Sequence, residues 1–357
     1  MKKNKIISII IIIILFAGFF SSCANKEDET SVSQKSEGEN EISEKQLSVV
    51  STIFPQYDWA RQILGEDNEN IDLTLLVDKG VDLHNFQPSA DDIVKISSCD
   101  MFLYVGGESD AWVDDILNTA VGNGTVVINL LDVIGDEVKQ EEQKEGMEHS
   151  HDHEDEEEHG HEDEEEHEEH AEEEEHGESE VDEHVWLSFN HAEVICNYIA
   201  DELSKMDQQN ADAYHENAQK YIDELRTMDQ KYQDVVENAS FDILLFGDRF
   251  PFRYLVDDYG LDYYAAFSGC SAETEASFET IAFLAGKVDE ENLGYIVTID
   301  SSNQSLAETI KENTSGKNQE IIALDSMQSV TGEDIKNGVT YLSIMEKNLA
   351  VLEQALN

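Results

Sequence analysis

Residues 149–184 read HSHDHEDEEEHGHEDEEEHEEHAEEEEHGESEVDEH, with nine histidines, no Lys or Arg and almost no apolar side chain. Such a stretch cannot bury enough surface to fold alone. Folded structure must come from the sequence on either side, which carries this run as an insertion. Imidazole and carboxylate both ligate Zn²⁺ and similar divalent ions. A strip of them is a metal-collecting surface made of many weak sites. Its accessory positions are His149, His151, His153, His159, His161, His167, His170 and His176. A solvated acidic linker would explain the carboxylates alone. Solubility does not need imidazole, however, and eight of the twelve histidines fall between His149 and His176.

The net charge of −58 over 357 residues is concentrated between Glu141 and Glu183, so it says little about the folded parts. No basic patch is available to neutralise phosphates, which excludes nucleic acid as a partner. Cationic metal is the natural counterpart. Lys2, Lys3 and Lys5 followed by the apolar run Ile6–Phe16 form a targeting segment too short for a comfortable membrane span. Ser21-Ser22-Cys23 then resembles the lipobox of bacterial lipoproteins, with Phe20 where Leu is usual. The resemblance implies a signal peptide over 1–22, lipidation at Cys23 and a lipid anchor on the outer face of the cell membrane. Residues 23–46 are polar, as a tether should be. Cys99 and Cys196 sit on apolar faces as small core residues, and one disulfide among Cys99, Cys196 and Cys270 stays open.

From Leu47 the texture is globular. Strand-like runs at 47–54, 71–78, 99–107 and 125–131 alternate with helical ones at 55–65, 89–97 and 110–120. After the insertion, read as unstructured over 136–181, come helices at 190–206 and 210–239. A second alternation begins at Phe241, with strands at 241–247, 261–267, 295–300 and 320–325, and a final helix spans 339–356. Alternation of this kind builds parallel sheets. The expected fold is α/β: a lobe over 47–206, a long rigid helix over 207–239 and a lobe over 240–357, with mainly parallel sheets. In the long helix Tyr214, Ala218, Tyr221, Ile222, Leu225, Met228, Tyr232 and Val235 recur at helical spacing. Ligands of such folds bind where strand ends converge, in the cleft between the lobes.

Two histidines outside the strip stand at strand–helix connections: His84 in DKGVDLHNFQPSADDI and His184 in DEHVWLSFNHAE. With these motifs the chain resembles the zinc-uptake substrate-binding lipoproteins of bacterial ABC transporters. The shared features are G-x-x-x-H from Gly80, D-x-H-x-W-L from Asp182, and a His-rich acidic insertion just before the second. The resemblance runs from Leu47 to the C-terminus. It implies two α/β lobes joined by a rigid helix, and metal ligation by His84 and His184. It also implies a carboxylate ligand at Asp325 in ALDSMQS, where a turn-capping role is the alternative. Asp300 is a weaker substitute.

The chain departs from the family in FGDRFPFRYLVDDYGL, where Arg249 stands at the position usually held by His, or by Glu in manganese receptors. Guanidinium cannot ligate a metal. Either the backbone shifts so that Asp248 ligates, or the second lobe contributes less; an ion pair of Asp248 with Arg249 or Arg253 is the alternative. Glu273 and Glu275 are candidates for outer positions, and Cys270 is judged not to ligate. Two imidazoles and two carboxylates suit Zn²⁺ and also Mn²⁺. The absent histidine points towards manganese and the His-rich strip towards zinc, which is preferred. The expected function is a monomeric, non-catalytic receptor that passes Zn²⁺ to a membrane permease driven by an ATPase, with weaker capture in mildly acidic medium as the histidines protonate. No H-E-x-x-H, G-x-S-x-G or P-loop supports the rival reading of a surface metalloenzyme. A metal buffer or adhesin is the third reading.

Overall fold

The computed structural model describes residues 46–65, 71–122, 124–148, 180–271 and 275–357. Cys23, Glu273 and the accessory histidines from His149 to His176 lie outside them. The first lobe runs β1 (Leu47–Ser51), α1 (Phe54–Leu64), β2 (Ile71–Leu75), α2 (Ala90–Ser98), β3 (Met101–Tyr104), α3 (Trp112–Thr119), β4 (Val126–Asn129) and α4 (Leu130–Ile134). Then come α5 (Phe189–Met206) and α6 (Ala211–Glu237). The second lobe runs β5 (Ile243–Phe250), α7 (Arg253–Tyr259), β6 (Asp262–Ser268), α8 (Phe278–Glu291), β7 (Tyr295–Ile299), α9 (Ser305–Asn313), β8 (Glu320–Leu324), α10 (Gly332–Lys336) and α11 (Tyr341–Ala355). Each lobe holds one four-stranded sheet, in the orders β2-β1-β3-β4 and β6-β5-β7-β8, and every strand pairing is parallel.

The strands are short apolar runs because helices cover both faces, so neighbouring residues serve opposite cores. On β1, Val49 enters the large cluster between the lobes, while Val50 faces a cluster with Ile96, Phe102 and Val113. On β5, Leu244 and Phe246 enter the large cluster, and Leu245 faces one with Leu284, Ile296 and Ala307. Local signals set several helix starts. Ser89 accepts the Asp92 N–H and Asp92 reaches back to Ser89, a capping box that begins α2 one residue on. Strand β1 stops at Ser51, short of the expected 54, because Pro55 opens α1 in its first turn.

Helix α6 packs on α1 and α5 on one side and on α7 and α11 on the other. Tyr214, Ala218, Tyr221, Ile222, Leu225, Met228 and Tyr232 are buried along it, while Val235 is partly buried. One hydrophobic cluster accordingly runs unbroken from Val49 to Leu356. Polar contacts tie the lobes at the same level. Tyr341 of α11 donates its backbone N–H to the Asp58 carboxylate of α1 at 2.8 Å and its hydroxyl to the Trp186 carbonyl at 2.7 Å, and meets the Trp59 ring edge-on at 5.3 Å. The Trp186 indole N–H donates to the Ser326 carbonyl at 2.9 Å.

Residues 136–148, read from composition as the front of the unstructured insertion, lie along the second lobe. Met147 is buried, the Glu148 N–H donates to Ala266 O at 2.9 Å, and Lys139 pairs with Asp257 at 2.6 Å. Glu142 pairs with Arg253 and Lys144 with Asp262. Composition hid these anchors, because their partners lie more than a hundred residues away in sequence. The chain returns beside its departure point: Gln140 bridges Val181 antiparallel, and Asp182 N–H donates to Lys139 O at 2.9 Å. Replacing Tyr341 by Phe leaves the buried Trp186 carbonyl without its donor and should cost ~1–3 kcal/mol. A urea titration reads this, and no measurable change would show that α11 does not clamp the two lobes.

Candidate metal centre

Parallel strands place their C-terminal ends, and the loops that follow, at one edge of each sheet. His84 follows β2, Ser109 follows β3, Arg249 ends β5, Gly269 and Cys270 follow β6, and Asp300 and Asp325 follow β7 and β8. His84 is held in a single helical turn, Leu83–Asn85, by the Asp82 carboxylate, which accepts the His84 N–H at 3.0 Å. Ser109 stands on a loop fixed from within, since Asp110 accepts the N–H groups of Val105 at 2.8 Å and Gly106 at 3.2 Å. His184 begins the turn Val185–Leu187, where the insertion rejoins the fold, and is 0% exposed.

The two imidazoles face each other with their Nε2 atoms 3.4 Å apart. Two nitrogens each ~2.0–2.1 Å from a tetrahedral Zn²⁺ stand roughly 3.3–3.4 Å from one another. The spacing is therefore that of a preformed half-site. The outward nitrogens are also committed. His184 Nδ1 lies 2.9 Å from Asp182 Oδ1, which also accepts the His184 backbone N–H at 2.9 Å. An Nδ1–H donated to a carboxylate leaves the Nε2 lone pair free for an ion. His84 Nδ1 lies 2.6 Å from Ser109 Oγ. Asp182 is steadied in turn by Tyr254, whose hydroxyl donates to the Asp182 carbonyl at 2.8 Å.

Burial, His184 and the Arg249 guanidinium hold His84 down to about 3, despite the opposing pull of Asp82. The shift favours the neutral, ligating form of His84 and opposes the acid weakening expected of an unperturbed imidazole. Glu183, 1% exposed, takes the Ser109 N–H on one oxygen at 2.9 Å. Its other oxygen has no hydrogen-bond partner among the described residues and lies 3.8 Å from His84 Nδ1. A cavity of about 190 Å³ opens here, lined by His84, Glu108, Ser109, Glu180, Val181, Glu183 and Cys270.

Among the described residues, the group of three or more potential ligands within 4.8 Å of one another consists of His84, His184 and Cys270. Asp248 and Asp325 lie outside it. A bulge explains Asp248: β5 takes one more residue than β6 between Phe246 and Arg249, which re-aims the strand end. Asp248 Oδ1 then accepts the Arg249 N–H at 2.9 Å, and both residues line a separate cavity of about 280 Å³. Arg249 reaches across the cleft to the Asp82 carboxylate and, within its own lobe, to Gln328 Oε1 at 3.3 Å. Where the family usually has a ligand, this chain has a cation that grips the His84 turn through its capping residue. Asp325 accepts the Met327 N–H at 2.8 Å, as a turn-capping Asp does, and burial together with Asp300 pushes it up to about 6. Asp300 is occupied by Ser326 and Ser329, and Glu275 is exposed. Cys99, Cys196 and Cys270 are all free, so the open disulfide is not formed.

Two parallel-sheet lobes share one long helix, and two imidazoles meet beside the strand ends of their cleft. The chain belongs to the family described as zinc-uptake complex component A, periplasmic (ZnuA), which it matches over residues 49–355. It is 29% identical over 312 residues to the zinc-binding lipoprotein AdcA of Streptococcus pneumoniae, covering 86% of this chain and 55% of that one. It thus spans about half the length of that relative. It is 26% identical to the high-affinity zinc uptake system protein ZnuA of Bacillus subtilis, covering 94% and 93% of the two chains. The Zn(II)-bound ZnuA-like domain of the S. pneumoniae AdcA has a similar structure, with TM-score 0.64 at 28% identity, over 87% of this chain and 99% of that one. The laminin-binding protein Lmb of Streptococcus agalactiae, at 21% identity and TM-score 0.66, shares the fold.

Burial raises Asp110 to about 7, with Glu183 adding to the effect of desolvation. An unfolded aspartate titrates near ~3.9. The folded state therefore holds this proton more tightly, so its contribution to stability is full below pH ~4 and is lost as pH rises towards 7. Asp110→Asn should flatten that decline in urea titrations between pH 4 and 7.5. An unchanged slope would contradict the burial of a protonated carboxyl here.

Proposed function

We propose that this protein is an extracytoplasmic receptor that takes up Zn²⁺ between its lobes and delivers it to an ABC permease and its ATPase. His84 and His184 bind the ion through Nε2, and the ion is cargo rather than a catalytic group. The observation that carries this reading is the 3.4 Å separation of the two Nε2 atoms, which fits a tetrahedral ion before any ion arrives. Zinc is favoured over Mn²⁺ because imidazole suits zinc, whereas manganese prefers oxygen donors. Asp182 orients His184, Ser109 orients His84, and Tyr254 braces Asp182.

Cys23 carries the lipid that holds a monomeric receptor at the outer face of the membrane. Among the described residues, no helix is long and apolar enough to cross a membrane. The histidines from His149 to His176 form an accessory strip that raises local metal concentration. The described residues that flank it are joined by the Gln140–Val181 bridge, and Val181 lines the cavity beside His84.

Competition with a chelator that strips the weak sites should leave one tightly held Zn²⁺ per chain. His84→Ala should abolish it, and Asp182→Asn should weaken it ~10–100-fold. Removal of residues 149–179 should preserve the tight equivalent. If that deletion removed all tight binding while His84→Ala kept it, the strip would be the receptor and the cleft would not.

A further inference from the structure

The second lobe has lost the donor usual in its family, and the structure brings up another. Cys270 follows β6 on a loop seated directly on the His pair. An added Cβ at Gly269 would stand 3.0 Å from His184 Cε1 and 2.8 Å from the Phe250 carbonyl, so only glycine lets this backbone approach so closely. The Cys270 N–H donates to Glu141 Oε1 at 2.7 Å, which fixes the loop against the base of the insertion. Its sulfur lies within 4.8 Å of a ring nitrogen of each histidine.

We propose that Cys270 is the third protein ligand of the cleft, its thiolate supplying from the second lobe the donor that Arg249 cannot, and that this thiolate selects Zn²⁺ over Mn²⁺. The proposal rests on the reading of the cleft as the cargo site. A tetrahedral Zn²⁺ with Zn–N ~2.0–2.1 Å and Zn–S ~2.3 Å sets sulfur and nitrogen roughly 3.6 Å apart. Reaching that spacing from within 4.8 Å requires an ångström or so of loop adjustment, not a rearrangement of the lobes.

An independent feature of the same cavity also points to a cation. The inner oxygen of Glu183 is buried without a hydrogen-bond partner among the described residues, and Glu183 lines the cavity together with His84 and Cys270. Such an uncompensated carboxylate oxygen favours positive charge within the cavity. Burial beside Glu141, Glu183 and Asp182 keeps the free thiol protonated. That resting state does not oppose ligation, because a coordinating thiol is deprotonated outright by the ion. Zn²⁺ forms a bond to sulfur, the S–H bond breaks and one proton leaves to solvent, with no change of oxidation state. Two imidazoles and a thiolate form a donor set suited to zinc, whereas manganese favours carboxylate, carbonyl and water.

The test uses Co²⁺ as a spectroscopic stand-in on the full chain. The accessory strip has no cysteine, so a thiolate-to-cobalt charge-transfer band in the near ultraviolet can arise only at a cysteine site. The band should saturate at one equivalent in the unaltered protein and vanish in Cys270→Ser. In chelator competition, Cys270→Ser should lower the Zn²⁺:Mn²⁺ affinity ratio by ~10–100-fold or more. A band-free spectrum at one tightly bound Co²⁺, or a Cys270→Ser protein with unchanged zinc affinity, would overturn the thiolate ligand. If His84→Ala still abolished binding in that case, the cargo site would stand without the thiolate. If neither substitution affected zinc affinity, the cleft reading itself would fall. The spectrum of the unaltered protein decides the question even if the variant folds poorly.

Discussion

The segment from Asp182 to Leu187 is gripped from both lobes at once, and the site depends on that grip. Its start is fixed to Lys139 and, through the Asp182 carbonyl, to the Tyr254 hydroxyl of the second lobe. Its end is fixed by the Trp186 indole on Ser326 and by Tyr341 on the Trp186 carbonyl. Between these anchors His184 is buried completely and has no freedom to turn. A buried imidazole held in one tautomer by a carboxylate is a strong and directed donor. The opposing imidazole is set by a different device, the capped turn at His84, and Arg249 holds that cap from across the cleft.

This arrangement changes the meaning of the arginine. A guanidinium where relatives have a ligand could be taken as a damaged site. Here it is a strut: it draws Asp82 towards the second lobe and so positions the His84 loop. It also lowers the proton affinity of His84, together with burial and His184. A cation close to a cation site needs compensation, and the surroundings provide it. Asp82, Asp182 and Glu183 all lie at the same edge, and Glu183 retains an unpartnered oxygen.

Much of this was legible in the sequence. Strand–helix alternation is a local signal, and it located the eight strands among the described residues and the long helix, whose buried face follows the apolar spacing from Tyr214 to Tyr232. His84 and His184 could be singled out because each sits at a strand–helix connection within a recognisable motif. The Asp182–His184 hydrogen bond spans two residues and was readable in D-x-H, although its role had not been assigned. Other features were not legible, for a physical reason. Cys270 nears the imidazoles only because β6 ends where the second lobe packs on the first, and no local pattern encodes that. The same holds for Arg249 and Asp82, 167 residues apart. The anchoring of residues 136–148 was masked by composition, since acidic residues with distant partners look like acidic residues with none.

The most direct measurement is an anomalous difference map collected at the zinc edge on crystals of the zinc-loaded protein. A single strong peak should lie between the Nε2 atoms of His84 and His184, within ~2.0–2.1 Å of each. Zinc peaks confined to the molecular surface, with none between these two nitrogens, would contradict the cleft as the place where the ion is held.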